Sequence, residues 1–243
     1  MHLDIDALDE DGRGVGTLPS GRRLHVIGAL PGERCAAEVE HESPHKGDAW
    51  GRLVAIERAV ADRVAPACPN HGTCGGCSLQ HLAYPAQLRW KQAQVASALG
   101  REVAPCVPSP EQIHYRNKAK LVAAPGILGS YAPASHRVLD MRGCRVPERP
   151  IEPVVESLRI ALAGIPVYDE ATRSGELRHV VVRASDEGRV LVVLVTRTAT
   201  VRDALQRATE GLDVAGVVHD VNPTTGGGLY GGEERRGDAH GGG

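Results

Sequence analysis

Cys68-Pro69-Asn70-His71-Gly72-Thr73-Cys74-Gly75-Gly76-Cys77 puts three thiols on one short loop with the spacing C-x5-C-x2-C. Thiolates spaced in this way can converge on a metal centre, and Gly72, Gly75 and Gly76 let the backbone wrap closely around it. A four-iron cluster takes four Cys ligands, so a fourth must come from Cys35, Cys106 or Cys144. Cys144 lies in the turn Met141-Arg142-Gly143-Cys144-Arg145-Val146-Pro147, whereas Cys35 and Cys106 read as small apolar residues. Zinc is the rival metal, held by the three Cys with His71, His81 or Cys144. A redox dithiol at Cys74 and Cys77 is a third reading, but it belongs at a helix start in a βαβ setting that the sequence does not supply.

Upstream of this loop, the chain reads as five short strands within residues 1–58. They are Leu3–Leu8, Gly16–Leu18, Arg23–Ile27, Ala36–Glu40 and Gly51–Ile56, punctuated by Asp11-Gly12, Pro19-Ser20-Gly21 and Pro31-Gly32. Five strands in so few residues suit a small closed barrel. Residues 59–110 hold the cysteine loop and a connecting helix over Tyr84–Leu99. Pro85 fits its first turn, Gly100 its stop, and Tyr84, Leu88, Val95 and Leu99 form an apolar stripe. Residues 111–225 read as a central α+β domain. Its order is a strand over 114–123, a helix over 152–163, strands over 179–184 and 189–196, a helix opened by a capping box at Thr200 and Asp203, and a strand over 214–221. Residues 226–243 contain nine Gly and read as a flexible tail.

The 243 residues are 42% apolar and 24% charged, which suits a folded, soluble chain. Aromatics are only 3%, so the cores must be built from Val, Leu, Ile and Ala. Six Cys are too sparse for a secreted disulfide scaffold, no apolar run approaches the roughly 20 residues of a membrane span, and the first residues do not resemble a secretion signal. A cytoplasmic protein without membrane contact is expected. Charge is uneven: residues 1–62 carry seven Lys and Arg against twelve Asp and Glu, and residues 81–149 carry ten against four. A polyanion would be drawn to the second stretch. Arg116, Lys118 and Lys120 recur with period two, so the expected strand would present them on one face.

Several segments together resemble the iron–sulfur-containing RNA uracil-5 methyltransferases that make 5-methyluridine in 23S ribosomal RNA. They are Asp11-Gly12-Arg13-Gly14-Val15-Gly16 with Leu30-Pro31-Gly32-Glu33, Cys74-Gly75-Gly76-Cys77-Ser78-Leu79-Gln80-His81-Leu82, His114-Tyr115-Arg116-Asn117-Lys118-Ala119-Lys120-Leu121, Gly143-Cys144 with Pro147, and Val221-Asn222-Pro223. The resemblance implies that residues 1–58 form an OB-like TRAM barrel that binds RNA, and that Cys68, Cys74, Cys77 and Cys144 hold a [4Fe–4S] cluster. It also implies that the central domain helps to grip a folded RNA, ribosomal RNA by the family's habit. The barrel is acidic and has Trp50 as its only aromatic, so more of that grip is expected from Arg89, Lys91, Arg116, Lys118 and Lys120.

Family members continue into a Rossmann-like domain with an S-adenosylmethionine site, a nucleophilic Cys and a carboxylate base. Uracil C5 needs a thiolate at C6 before it attacks, and a base must then remove its proton. No strand, Gly-rich loop and helix for S-adenosylmethionine is read in this sequence, and no catalytic residue is assigned. The expectation is therefore an α+β chain lacking the Rossmann-like catalytic domain, monomeric, inactive by itself, and representing the RNA-binding and cluster-binding portion of such an enzyme. A stand-alone iron–sulfur RNA-binding module and a zinc-binding structural protein are the alternatives.

Overall fold

The computed structural model describes residues 1–133, 135–224, 228–230 and 233–235, the last three by backbone alone. The chain divides into two compact units, Met1–Pro110 and Glu111–Gly243.

In the first unit, β1 (His2–Asp4), β2 (Ala7–Leu8), β3 (Gly14–Thr17), β4 (Arg23–Ile27), β5 (Arg34–Glu42) and β6 (Asp48–Arg58) form a six-stranded sheet in the order β1-β5-β6-β4-β3-β2. Only β4 and β6 run parallel. One strand was expected over Leu3–Leu8, but the segment bends at Ile5-Asp6. Ile5 N–H donates to Glu33 O at 2.9 Å and Asp6 N–H to Val15 O at 2.8 Å, so its halves pair with different neighbours, β5 and β3. Both ends of the sheet are thus made by one bent segment. Leu3, Ile5, Leu24, Val26 and Cys35 fill the interior. β5 and β6 exceed the expected lengths because bulges, one between Val39 and His41, let two long strands coil together.

Glu33 is fully buried beneath this sheet. Arg63 Nε and Nη2 reach its two carboxylate oxygens at 2.5 and 2.7 Å, and Leu30 N–H donates to it at 2.8 Å. Burial pushes the Glu33 pKa up, but the Arg63 and Leu30 hydrogen bonds and the Arg63 charge outweigh it, so the net shift is downward. Helix α1 (Tyr84–Leu99) follows, with Pro85 in its first turn and Gly100 ending it in the left-handed region at φ 62°. The expected apolar stripe is not buried as a whole. Ala86 is the buried residue of α1, while Val95 and Leu99 are more than half exposed.

The second unit is built on a seven-stranded mixed sheet. It comprises β7 (Lys118–Ala124), β8 (Ile127–Tyr131), β9 (Val138–Asp140), β10 (Leu177–Ala184), β11 (Val190–Thr196), β12 (Gly216–Val221) and β13 (Glu233–Arg235), in the order β13-β12-β11-β10-β7-β8-β9. α2 (Ile151–Ala161) precedes β10, and α3 (Arg202–Thr209) links the parallel pair β11 and β12. Leu158, Val180, Val182, Val192, Leu194 and Leu205 are buried together between the helices and the sheet.

Three expectations change here. β7 starts at Lys118, because residues 114–116 pair elsewhere, which removes Arg116 from that strand. The capping box expected at Thr200 does not form: Val201 precedes α3 without a side-chain cap, and Thr198 instead accepts from Thr200 N–H at 3.2 Å while its own N–H and Oγ1 donate to the Glu176 carboxylate. Within the stretch expected as a tail, Glu233–Arg235 pair antiparallel with β12; apart from these and 228–230, that stretch lies outside the described residues.

Candidate functional site

The cysteine loop is anchored from both sides by the residues that follow it. Cys68 N–H donates to Gln80 Oε1 at 3.1 Å, and Gln87 Nε2, from the first turns of α1, donates to Leu79 O and Leu82 O at 3.0 and 2.8 Å. Leu82 packs with Leu30 and Ala86, and Leu79 lies over Gly12, where a Cβ would come within 3.1 Å of it. The Gln-His-Leu run is therefore the bracket that fixes the loop against the first sheet. Gly72 takes φ 85°, a conformation that favours glycine.

No disulfide joins any of the six cysteines. Cys68, Cys74 and Cys77 are each half-buried, and Gly76 N–H donates to Cys74 Sγ at 3.4 Å. His71 Nε2 lies 3.1 Å from His81 Nδ1, and His81 is buried. Burial, then the charges of Arg63 and His71, push the His81 pKa down to about 4. The two imidazoles are thus engaged with each other. Among the described residues, no group of three His, Cys, Asp or Glu side chains is close enough to hold a metal ion. The donor set nonetheless suits an iron–sulfur centre: three thiols on one Gly-rich loop, one of them already receiving an amide hydrogen bond. Cys35 is buried, and burial followed by the charges of Glu33, Glu57 and Asp4 pushes its thiol pKa up, so it stays a core residue. Cys106 was expected to be buried and is only half-buried.

In the second unit, Gly143 turns at φ 71° and Cys144 N–H donates to Met141 O at 3.0 Å. The residues after Cys144 run beside the entry to β7. His114 N–H donates to Arg145 O at 2.7 Å, Arg116 N–H to Val146 O at 3.1 Å, and Glu148 N–H to Arg116 O at 2.9 Å. His114 adopts φ 56° to make this turn. Arg116 is exposed, but it belongs to this crossing rather than to the face of β7.

The expected RNA-gripping side chains divide as follows. Lys118 and Lys120 alternate on β7 and share one face, and the register adds a residue that sequence reasoning missed: Arg183 of β10 stands opposite Lys118. Arg183 and Lys120 are exposed, and Lys118 Nζ lies 5.9 Å from the centre of the Tyr230 ring. The alternation within β10 gave Arg183 its parity, but only the pairing shows its neighbour. On α1, Arg89 is tied to Asp62 at 2.8 Å, and Lys91, two residues on, points to a different side of the helix. In the first sheet, Trp50 has the His25 and His41 rings on either side, each centred 5.6 Å away, an aromatic stack that composition alone understated.

Comparisons with known proteins extend this description. No family model matches the chain. It is 36% identical over 241 residues to an uncharacterized RNA methyltransferase of Halalkalibacterium halodurans, an alignment covering 92% of this chain and 52% of that protein. It is likewise 36% identical over 247 residues to one of Geobacter sulfurreducens, covering 93% of this chain and 49% of that protein. The chain is similar to RNA methyltransferases. It spans about half the length of the curated relatives it matches. Its structure also matches the crystal structure of the Pyrococcus abyssi tRNA (uracil-54, C5)-methyltransferase in complex with S-adenosyl-L-homocysteine. The TM-score is 0.76 and the identity 27%, covering 97% of this chain and 55% of that one.

This match corrects the expected fold class. The two mixed sheets with few helices align, almost in full, within a catalytic methyltransferase fold. An α+β piece defined as non-catalytic by a missing Rossmann-like domain is not retained. No helix among the described residues is long and apolar enough to cross a membrane.

Proposed function

We propose that this chain belongs to an S-adenosylmethionine-dependent RNA methyltransferase that acts on C5 of uracil. The observation that supports the reading is the structural match, over 97% of this chain and 55% of the other, to a tRNA uracil-5 methyltransferase. S-adenosylmethionine supplies the methyl group when bound. The part assigned to this chain's own residues is to hold RNA, with Lys118, Lys120 and Arg183 along one face of the second sheet neutralising phosphates, and Lys91 and Arg116 adding exposed charge. Arg89 is a weaker contributor because Asp62 already neutralises it. Ribosomal RNA is the substrate class that the sequence resemblance favours, and transfer RNA is that of the structural neighbour.

The test is methyl transfer from labelled S-adenosylmethionine by the protein expressed from its complete gene, offered ribosomal and transfer RNA transcripts. Label in 5-methyluridine of either RNA supports the reading and identifies the substrate. Label in neither, or only on another base, overturns it.

Within that reading, Cys68, Cys74 and Cys77 are proposed ligands of a [4Fe–4S] cluster, with Cys144 as the fourth thiolate. Support comes from the thiol spacing, the absence of disulfides and the Gly76 amide at Cys74 Sγ. Anaerobically purified protein should contain about four iron and four sulfide per chain and absorb in the visible range. Cys74→Ala and Cys144→Ala should each lose most of that iron. A colourless protein with one zinc ends the proposal, and full iron in Cys144→Ala removes that residue from the ligand set.

A further inference from the structure

Tyr115, at the entry to β7, has no part in the reading above. It is 50% exposed, and among the described residues it has no hydrogen bond and no ring contact. A lone aromatic at a surface is ordinary, but the backbone on both sides of this one is pinned. His114, just before it, takes φ 56°, a region that a histidine enters at a cost. Two bonds to the crossing segment offset that cost: His114 N–H donates to Arg145 O at 2.7 Å, and its Nδ1 donates to Pro147 O at 3.0 Å. Just after it, Arg116 N–H donates to Val146 O, Arg116 O accepts from Glu148 N–H, and Asn117 O accepts from Ala184 N–H of β10 at 2.9 Å. Tyr115 is thus carried on fixed backbone while half of its surface stays in solvent. Backbone strain held in place by surrounding bonds gathers where proteins bind something.

The charge around Tyr115 indicates what that something is. In the first unit, every arginine up to Arg89 has a carboxylate at salt-bridge distance. Arg116, Arg145 and Arg149 are exposed and have none among the described residues, and neither has Lys118. Glu148, in the same crossing, pairs with none of them. Cations left without carboxylates are available to a polyanion. Lys118 opens β7 three residues after Tyr115, so at most about 11 Å of extended chain separates the ring from the basic face of that strand.

We propose that Tyr115 is the stacking platform for one unpaired base of the RNA, with the flanking phosphates held by Arg116, Arg145 and Lys118. An exposed aromatic face among unpaired cations suits a splayed nucleotide, because every base has a π-face and its backbone carries the charge. The contact is indifferent to which base it meets, so it fixes where the strand lies rather than which sequence is chosen. A duplex keeps its bases stacked on one another, so the occupant is a single-stranded loop, bulge or end. This rests on the RNA-substrate reading and adds a contact to bases where that reading has contacts to phosphates alone.

The test has two arms, both on the full chain. In the first, an oligouridylate and an abasic oligomer of the same length are bound to wild type, Tyr115→Ala, Tyr115→Phe and Arg145→Ala. Tyr115→Ala should weaken the oligouridylate by about tenfold, spare the abasic oligomer and leave the salt dependence unchanged, while Tyr115→Phe should match wild type. Arg145→Ala should weaken both oligomers and flatten the salt dependence. Wild-type affinity in Tyr115→Ala, or an equal loss on the abasic oligomer, overturns the platform and leaves the RNA reading standing. Failure of wild type to bind either oligomer overturns the platform, and methyl transfer to folded RNA then decides the RNA reading separately. In the second arm, an oligomer of 5-iodouridine is irradiated on wild-type protein and the adducts are mapped by mass spectrometry. An adduct on Tyr115 supports the platform, and adducts confined to other residues overturn it. If Tyr115→Ala does not fold, this arm decides.

Discussion

Glu33 shows how one residue can hold a layer together. Its carboxylate is out of contact with water and is offset by Arg63 and the Leu30 N–H. Removing one partner of a buried pair leaves the other uncompensated, so Glu33→Ala should destabilise the first unit by about 3–5 kcal/mol, measured by denaturant unfolding. The folded pKa of Glu33 lies below its unfolded value, so the group stabilises fully above the ordinary carboxylate range. That contribution disappears as pH falls through the folded value. Glu33→Gln should lose this acid dependence. His179 gives the second unit a different pH response. Burial first, then Lys120 and Arg178, lower its pKa to about 4. Between there and the ordinary histidine value, the unfolded chain takes up a proton that the folded one refuses. Stability should therefore fall as pH drops from about 6.5 to about 4, by at most about 1.4 kcal/mol per pH unit. Denaturant midpoints across that range should show the slope, and His179→Gln should flatten it.

Between strands, the tight places are set by backbone approach. A Cβ on Gly14 would come within 2.7 Å of Ala29 O and 2.9 Å of Ala29 Cβ, so Gly14→Ala should cost about 1–3 kcal/mol and lower the melting temperature of the first unit. Elements bounded by local chemistry were legible in the sequence. Pro85 and Gly100 bracket α1 at Tyr84–Leu99 in both readings, because a first-turn proline and a left-handed stop act within a few residues. Elements bounded by distant pairing were not. Nothing local in Leu3–Leu8 announces that its halves bond to β5 and β3, and β8 was missed because Gly129 interrupts its apolar run where the backbone of β9 comes too close for a side chain. At the candidate site, the thiol spacing and Gln-His-Leu bracket could be read from adjacent residues. The crossing beside β7 could not, since His114 and Arg116 meet Arg145 and Val146 from separate segments with no shared period.

Across the whole molecule, charge is uneven by segment and, in the second unit, by surface as well. The chain is nearly neutral overall, yet Lys118, Lys120 and Arg183 gather on one face of the second sheet. If they meet phosphates, Lys120→Ala and Arg183→Ala should each weaken RNA binding for all sequences alike. Each should also reduce the slope of log affinity against log salt by about one. Titrations at several salt concentrations would show this, and unchanged slopes in both variants would place the contacts elsewhere. The bent opening segment has a consequence of another kind. Because residues 2–4 complete the margin of the first sheet beside β5, a protease cut near Ile5-Asp6 would release that flank, while β2 stays joined to β3 through the chain. The bared N–H and C=O row of β5 would then be a template for neighbouring chains, so clipped preparations should clump well before they unfold.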